Sequence, residues 1–299
     1  MSASGWDAAD VPDQTGRTVI VTGANSGLGL VTARVLADAG ADVVLAVRDA
    51  ERGRQAAATI DAPTRVERLD LADLSSIRAF AGAWSGPVDV LVNNAGIMAV
   101  PFGRTADGFE RQIGTNHLGH FALTNLLLPH LTDRVVTMSS AAHRMGTISL
   151  DDLTWQRRRY RRWRAYGQSK LANLLFTLEL ERRLVETGSR VRALAAHPGY
   201  AATNLQGRTG NVAQHALMKV ANALVAQSDE MGALPVLFAV TQDIPGGSYV
   251  GPDGRNESRG HPTLVGRSTA ASDLETARRL WSRSEELTGV SYGLAAVTP

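Results

Sequence analysis

The sequence predicts an α/β fold in which helices cover both faces of a doubly wound parallel sheet, a three-layer α/β/α arrangement. Short apolar strand patterns alternate with helical patterns along the 299 residues, as expected where a crossover helix follows each strand. The first strand, Thr18–Thr22, is apolar through its middle, which indicates burial on both faces. No internal repeat or low-complexity linker interrupts the alternation, so we expect a single domain over residues 1–299.

Strands are predicted wherever β-branched and other apolar residues run together. These stretches are Thr18–Thr22, Asp42–Val47, Arg65–Leu69, Val88–Val92, Arg134–Ser139, Arg190–Ala195 and Ser248–Val250. Apolar residues at helical spacing predict helices between the first strand and Gly40, from about Leu74, over His117–Leu131 and over Ala165–Thr187. Residues 203–227 are polar and weakly periodic, so we expect them to form a substrate lid, and residues 1–14 are expected to be flexible.

The composition excludes several classes of function. The 31 basic and 29 acidic side chains nearly balance, whereas nucleic-acid-binding proteins carry a larger or more segregated positive charge. The chain has no cysteine, which excludes disulfides, cysteine nucleophiles and thiolate metal sites. Met1–Gln14 has no apolar run, and no apolar stretch approaches the ~20 residues of a membrane helix. We therefore expect a soluble, cytoplasmic protein without a metal or nucleic-acid partner, while homo-oligomerisation stays open.

A glycine cluster directly after the first strand predicts a nucleotide site of the Rossmann type. Glycines permit a tight turn and a close approach to a pyrophosphate, which then rests on a helix N-terminus. The ligands of such a sheet bind at the carboxyl ends of its strands, so the segments after other strands are expected to contribute. The predicted contacts are Gly23, Asn25, Ser26, Gly27, Leu28, Gly29, Asp70, Leu71, Asn93, Ala95 and Gly96.

The end of the second strand indicates which dinucleotide is bound. An acidic residue there favours the free ribose 2′-hydroxyl of NAD, whereas an arginine accommodates the 2′-phosphate of NADP. Valine occupies the expected acidic position, at Val47, and Arg48 and Asp49 follow it. We predict a preference for NADP(H) through Arg48. Two alternatives stay open: Arg48 only caps the strand, or Asp49 is a ribose acid and NAD(H) is used.

A tyrosine and a lysine one helical turn apart predict acid–base chemistry. Tyr166 and Lys170 stand at i and i+4, and an ammonium beside a phenol stabilises the phenolate and lowers a pKa that is ordinarily about 10. Only Lys170 and Lys219 among the 31 basic residues are lysines, so Lys170 is expected to be a compact donor that also binds a ribose. Ser140 follows the fifth strand and can hold a substrate oxygen. Asn116 either caps a helix or joins a proton relay.

The chain resembles the short-chain dehydrogenase/reductase (SDR) family in a combination of motifs. These are the segments TGANSGLG and NNAG, together with Asn116, Ser140 and the YxxxK pattern. Within it the chain is similar to the branch that contains retinol dehydrogenases, WW-domain oxidoreductase and light-dependent protochlorophyllide reductase, over about residues 15–290. The resemblance implies a catalytic tetrad of Asn116, Ser140, Tyr166 and Lys170, with hydride transfer at nicotinamide C4.

The same resemblance implies that Pro198, Gly199 and Thr203 contact the cofactor, with Thr203 at the nicotinamide amide. We therefore expect an NADP(H)-dependent oxidoreductase that interconverts a carbonyl and an alcohol in a small-molecule substrate. Two other functions stay open. One is reduction of a carbon–carbon double bond, as in the protochlorophyllide reductase relatives, and the other is NADP(H) sensing by a catalytically idle protein.

An arginine-rich segment, Arg157–Arg164, lies among the 25 residues that separate Ser140 from Tyr166, with Tyr160 and Trp163 interleaved. Its proximity in sequence to Tyr166 places it near the expected substrate entrance. The segment is interpreted either as a solvated basic surface over packed aromatic rings or as a surface that attracts an anionic substrate.

Overall fold

The computed structural model describes residues 5–199 and 228–294. Its strands are β1 (Thr18–Thr22), β2 (Asp42–Val47), β3 (Thr64–Arg68), β4 (Val88–Asn93), β5 (Leu131–Met138), β6 (Arg192–Ala196), β7 (Tyr249–Pro252) and β8 (Pro262–Leu264). They form one sheet in the order β3-β2-β1-β4-β5-β6-β7-β8, parallel except at the β7–β8 pair. The chain reverses its direction of travel across the sheet between β1 and β4, which is the switch point of a doubly wound sheet.

Helices cover both faces of the sheet. They are α1 (Gly27–Asp38), α2 (Ala50–Ala57), α3 (Leu74–Gly82), α4 (Arg111–Ile113), α5 (Gly119–Leu127), α6 (Arg162–Glu186), α7 (Asp229–Thr241) and α8 (Leu274–Thr288). Successive strand residues face opposite sides, so Val21 packs with α1, α2 and α7, whereas Ile20 packs with α3, α5 and α6. The predicted three-layer fold is confirmed.

The predicted helix His117–Leu131 has the wrong bounds. The helical run begins earlier, with α4, because the Glu110 carboxylate accepts hydrogen bonds from the amides of Gln112 (2.9 Å) and Ile113 (3.0 Å) and so caps it. The run continues as a π-helix over Gly114–Leu118, then as α5, and ends in a 3-10 turn that contains Pro129. Leu131 opens β5 instead of closing the helix.

Apart from those bounds, four elements were not predicted, and three of them have N-cap signals in the sequence. Asp49 caps α2 and Asp273 caps α8, each through a carboxylate that accepts from two backbone amides, and the Ser228 hydroxyl caps α7 by accepting from the Met231 amide. The fourth is β8, a three-residue edge strand that begins at Pro262 and pairs antiparallel with β7. Its shortness and its proline leave no strand periodicity to recognise.

The structure describes most of one segment that was predicted to be mobile, residues 1–14, and none of the other, residues 203–227. Within residues 5–14, Trp6 packs edge-on against Phe238 at 5.3 Å and Gln14 is buried. These contacts speak against flexibility from Trp6 onward, and flexibility of residues 1–14 as a whole stays a prediction. The predicted lid, residues 203–227, lies outside the described residues. No helix among residues 5–199 and 228–294 has both the length and the apolar character needed to span a membrane.

An aromatic cluster fixes α8 against the layer formed by α5 and α6. Trp281 stacks on Phe176 with ring centroids 5.7 Å apart and meets Phe121 edge-on at 4.9 Å. The Arg183 guanidinium lies 4.5 Å from the Trp281 ring, a cation–π distance. Trp281 is only 2% exposed and is the largest of the buried side chains of α8.

Replacing Trp281 with alanine is therefore expected to lower the free energy of unfolding by about 3–5 kcal/mol, because the lost ring leaves a cavity between helices. Leu274→Ala at the start of the same helix, where the side chain is 46% exposed, should lower it by less than about 1 kcal/mol. Urea unfolding followed by circular dichroism measures both variants. Equal losses would contradict the assignment of α8 packing to Trp281.

Candidate active site

The predicted site residues that are described lie along the carboxyl-terminal edge of the parallel sheet. The glycine loop follows β1, Asn93 ends β4, Ser140 follows β5 and Gly199 follows β6. Parallel strands place all these segments at one edge. The sheet thus brings the glycine loop and the predicted catalytic side chains to a common surface.

The glycine loop is shaped for close approach to a ligand. Gly23 and Gly27 have positive φ angles of 68° and 57°, which side chains rarely adopt. A Cβ at Gly23 would lie 2.9 Å from the Ala95 Cβ, and one at Gly29 would lie 2.5 Å from Asn94 Nδ2. The loop is therefore packed directly against the segment after β4, and a larger residue at either position would push the two apart.

The N-terminus of α1 offers backbone amides to an anion. Ser26 is the N-cap, but its side chain accepts no capping hydrogen bond, so the first amides of α1 keep their donors for another partner. Asn25, Ser26 and Gly27 are partly exposed, whereas Leu28 and Gly29 are buried. This geometry fits a dinucleotide pyrophosphate held by the backbone, with Leu28 acting through its amide since its side chain belongs to the core.

Residues 93–96 contribute mainly through the backbone. The Asn93 side chain is fully buried and donates to the Thr124 hydroxyl at 2.9 Å, so only its main chain can face a ligand. The Ala95 amide donates to Thr22 Oγ1 at 2.9 Å. Gly96 faces two of the predicted catalytic residues, because a Cβ there would stand 3.3 Å from Asn116 Oδ1 and 3.6 Å from Lys170 Nζ. A side chain at position 96 would fill the space beside that lysine.

The expected adenosine end of the site lies after β2 and β3. Val47 is buried, while Arg48 and Asp49 are exposed. The Asp49 carboxylate accepts from two backbone amides of α2, each at 3.1 Å. Asp70 Oδ1 accepts from the Ala72 amide at 3.0 Å. Leu71 packs in the core, so any contact that it makes with a ligand involves its backbone.

Tyr166 and Lys170 lie one turn apart on α6, with the Lys170 Nζ 5.8 Å from the centre of the tyrosine ring. Both are buried, and the Lys170 ammonium donates to the Met138 carbonyl at 3.0 Å. Burial raises the pKa of Tyr166 to about 12, the opposite of the predicted lowering, although a hydrogen bond with Ser140 opposes the shift. Burial lowers the pKa of Lys170 to about 8, which leaves the ammonium mostly protonated at neutral pH. Tyr166 thus remains a protonated phenol at neutral pH, and it lies beside a cation that can stabilise its phenolate.

The two serines after β5 have different positions. Ser139 Oγ is buried and donates to the Lys170 carbonyl at 2.9 Å, which attaches α6 to the sheet edge. Ser140 Oγ is partly exposed and accepts from the Ala142 amide at 3.2 Å. Because a hydroxyl that accepts in this way keeps its own proton, Ser140 can donate to a substrate oxygen next to Tyr166. This is the arrangement expected of the second serine.

Asn116 is in the π-helix and is fully buried. Its Oδ1 accepts from the Ile97 amide at 2.8 Å, and its Nδ2 donates to Ser169 Oγ at 2.9 Å. The alternative that Asn116 is a helix N-cap is wrong, since the helical run begins at Arg111. Asn116 instead connects the segment after β4 to α6, and the proton relay stays a prediction.

His120 carries a hydrogen-bond chain that sequence reasoning did not identify. Its Nδ1 lies 3.0 Å from the Asn116 carbonyl oxygen, and its Nε2 lies 3.0 Å from Thr22 Oγ1. A carbonyl can only accept, so Nδ1 carries the proton and Nε2 accepts from Thr22. Burial lowers the pKa of His120 to about 4, which keeps the ring neutral. The chain links Asn116 to β1 just ahead of the glycine loop.

Pro198 and Gly199 follow β6, and Gly199 has a φ of 66°. A Cβ at Gly199 would lie 2.5 Å from the Ser258 carbonyl oxygen, so the turn packs against the segment before β8. Thr203 lies outside the described residues, and its contact with the nicotinamide stays a prediction. Within the described ranges, no three His, Cys, Asp or Glu side chains are grouped as metal ligands.

Asp229 is a second feature that was missed. It is in the first turn of α7, and its Oδ2 lies 3.8 Å from the position that a Cβ at Gly27 would occupy. Its Oδ1 is buried without a hydrogen-bond partner among the described residues. Burial and the neighbouring Glu230 charge raise the pKa of Asp229. A carboxylate therefore stands beside the loop where a pyrophosphate is expected, a proximity that long sequence separation conceals.

Comparisons of the whole chain with known proteins point to the same family as the motifs at this edge. Residues 17–213 match the family model for short chain dehydrogenase. Human retinol dehydrogenase 13 is 44% identical over 291 residues, which cover 92% of this chain and 85% of that protein. A crystal structure of an uncharacterized protein from Mycobacterium paratuberculosis is 56% identical, with a TM-score of 0.86, and the match covers 97% of this chain and all of that one.

A structure from Beutenbergia cavernae, described as an NAD(P) dependent gluconate 5-dehydrogenase with bound NADP at low occupancy, is 26% identical. That match has a TM-score of 0.58 and covers 76% of this chain and 90% of the other. The family model and the retinol dehydrogenase relative confirm the predicted resemblance. The chain therefore belongs to the short-chain dehydrogenase family and is an oxidoreductase that acts on CH–OH groups.

Proposed function

We propose that this protein interconverts an aldehyde or ketone and the corresponding alcohol with NADP(H), using Tyr166 as the general acid and base. The observation that carries the proposal is the burial of Tyr166 beside Lys170, with the Ser140 hydroxyl hydrogen-bonded to the phenol. An acid, a cation that stabilises its conjugate base and a donor for the substrate oxygen are the groups that carbonyl reduction requires.

When bound, the nicotinamide supplies the hydride for carbonyl reduction and accepts it in alcohol oxidation. In reduction, the Ser140 hydroxyl donates a hydrogen bond to the carbonyl oxygen. Tyr166 gives its phenolic proton to that oxygen as negative charge develops, so that one hydride and one proton add across the C=O bond. The Lys170 ammonium stabilises the resulting phenolate, and a proton from solvent restores the phenol. Alcohol oxidation follows the same steps in reverse.

A preference for NADP(H) is supported by the residues after β2. Val47 is only 1% exposed and apolar, so it offers no acceptor to a ribose hydroxyl. The carboxylate of Asp49 is engaged in capping α2, which disfavours its role as a ribose acid. The exposed Arg48 guanidinium then remains to contact a 2′-phosphate. The NADP bound to the Beutenbergia cavernae protein adds support from a relative.

Tyr166→Phe is expected to lower the turnover of aldehydes and ketones by about 10²–10⁴-fold, while the affinity for NADPH changes little because the ring remains. The assay follows NADPH oxidation against aldehydes, ketones and enones. Tyr292→Phe, whose hydroxyl contacts Thr187 far from the site, is the matched control. Undiminished turnover in Tyr166→Phe would contradict the proposal, and saturated carbonyl products from enones would favour the double-bond reductase.

Arg48→Gln should lower kcat/KM for NADPH about tenfold, the typical effect of losing one charge pair at a binding surface, and leave kcat/KM for NADH unchanged. Arg278→Gln removes an exposed arginine on α8 and serves as the control. A parallel decrease with both cofactors would mean that Arg48 does not discriminate between them.

Asp229→Asn is expected to lower the Kd for NADPH by a factor of about 3–5, because a carboxylate beside the α1 N-terminus repels the pyrophosphate. The pKa of Asp229 is raised, so wild-type affinity should improve as pH falls toward that pKa, whereas the variant should lose this dependence. Titration calorimetry at several pH values measures both effects. Glu230→Gln changes an exposed neighbouring charge, and an equal gain there would refute a specific role for Asp229.

A further inference from the structure

A pocket of about 540 Å³ opens on the surface around Trp163, whose ring meets that of Tyr166. It is lined by Pro101, Phe102 and residues 160–164. The Phe102 and Trp163 rings are each 49% exposed, although side chains of this size are usually covered in a folded protein. The pocket therefore offers an apolar lining that no residue of the described chain covers.

The wall of this pocket is fixed by partly buried hydrogen bonds. The Tyr160 hydroxyl accepts from Gln112 Nε2 at 2.7 Å and lies 3.0 Å from the Val100 carbonyl oxygen. Gln112 is fully buried and also donates to the Arg162 carbonyl at 2.9 Å. Because Gln112 is one turn before Asn116, the same helical run holds both the pocket and the catalytic edge. Tyr160 and the backbone at Arg162 are thus held in place, which fixes one part of the pocket wall.

Arg158 differs from its neighbours because it is part of this framework. Its guanidinium contacts the Asp152 carboxylate at 3.1 Å and Gln168 Oε1 at 2.9 Å, and it lies 4.0 Å from the centre of the Trp155 ring. Trp155 has a positive φ of 55°, a strained conformation for a bulky residue. The interpretation of all six arginines as an anion-attracting surface is thus wrong for Arg158, which stabilises the loop.

The remaining arginines of the segment are exposed and make no ion pair with any described residue. They are Arg157, Arg159, Arg161, Arg162 and Arg164. Every Asp and Glu of the sequence lies within the described residues, so no acidic side chain is left over to neutralise them. The first turn of α6 contains no acidic residue either, and its positive end adds to the same field. Like charges held together in this way favour an anionic partner.

We propose that this pocket binds the substrate and that the substrate is an apolar chain bearing an anionic group, with Arg161, Arg162 and Arg164 contacting the anion. The proposal rests on the carbonyl–alcohol function proposed above. Trp163 connects the two regions, because its ring lines the pocket and meets the Tyr166 ring edge-on at 6.2 Å. The apolar body contacts Phe102 and Trp163, and the reacting end of the chain faces Tyr166.

The test compares octanal with suberic semialdehyde, which has the same chain length and carries a terminal carboxylate. Arg161→Gln, Arg162→Gln and Arg164→Gln are combined in one variant. We expect kcat/KM for suberic semialdehyde to fall at least about tenfold, the effect of removing charge pairs at a binding surface. The value for octanal should change less than about twofold, since neutral substrates gain nothing from surface charge.

The matched control removes the same charge elsewhere, through Arg52→Gln, Arg278→Gln and Arg279→Gln, all at exposed positions. An equal loss in this variant would show a general charge effect and overturn the proposal. The proposal is also overturned if the variant at Arg161, Arg162 and Arg164 keeps the wild-type preference for suberic semialdehyde over octanal. Urea unfolding midpoints confirm that both variants are folded.

A binding measurement separates this proposal from the proposed reaction. Titration calorimetry with octanoate and octanamide, which differ in charge but hardly in shape, needs no turnover. If neither aldehyde is reduced but octanoate binds more tightly than octanamide in an arginine-dependent way, the reaction is refuted and the pocket assignment stands. If octanoate does not bind, or if only anionic phosphatidylglycerol vesicles bind, the assignment of this surface to a substrate is overturned.

Discussion

The geometry of the active site depends on one carbonyl oxygen, that of Met138 at the end of β5. It accepts hydrogen bonds from Lys170 Nζ and from Asn173 Nδ2, at 3.0 and 2.9 Å. The Ser139 hydroxyl adds a third bond, to the Lys170 carbonyl. These contacts fix where α6 lies along the sheet edge. Tyr166, one turn before Lys170, is thereby placed beside Ser140, and the first turn of α6 is placed at the proposed substrate pocket.

The same arrangement explains why Lys170 can stabilise a phenolate at Tyr166. A buried lysine is an unfavourable place for a charge, and its one hydrogen-bond acceptor among the described residues is a neutral carbonyl. The Lys170 ammonium is therefore stabilised when a negative charge forms next to it, as it does in the proposed reaction when Tyr166 gives up its proton. Burial acts on the two residues in opposite directions, raising the pKa of the phenol and lowering that of the ammonium. Formation of the phenolate relieves the unpaired charge of the ammonium, and the ammonium in turn offsets part of the cost of burying the phenolate.

Sequence reasoning succeeded where local pattern and structure agree. Buried parallel strands are continuous apolar runs, so β1 and β2 were predicted with their observed bounds. It failed where distant parts of the chain decide the outcome. The π-helix leaves the apolar spacing on either side unchanged, and Asp229 reaches the glycine loop from about 200 residues away in sequence. Arg158 looked equivalent to its neighbours because nothing in the sequence indicates that Asp152 and Gln168 surround it.

The π-helix over Gly114–Leu118 makes the length of this segment as important as its composition. A π-helical turn contains one residue more than an α-helical turn. Deletion of a single residue there would let the helical run close as a regular α-helix, and the residues on either side would keep nearly the same relative facing, because the extra residue is taken up within that one turn. Gln112, which precedes the π-helix, would then still face Tyr160. Asn116, which is within the π-helix, would instead be displaced from the position in which it contacts Ser169. The extra residue therefore serves the position of Asn116 rather than that of the pocket wall.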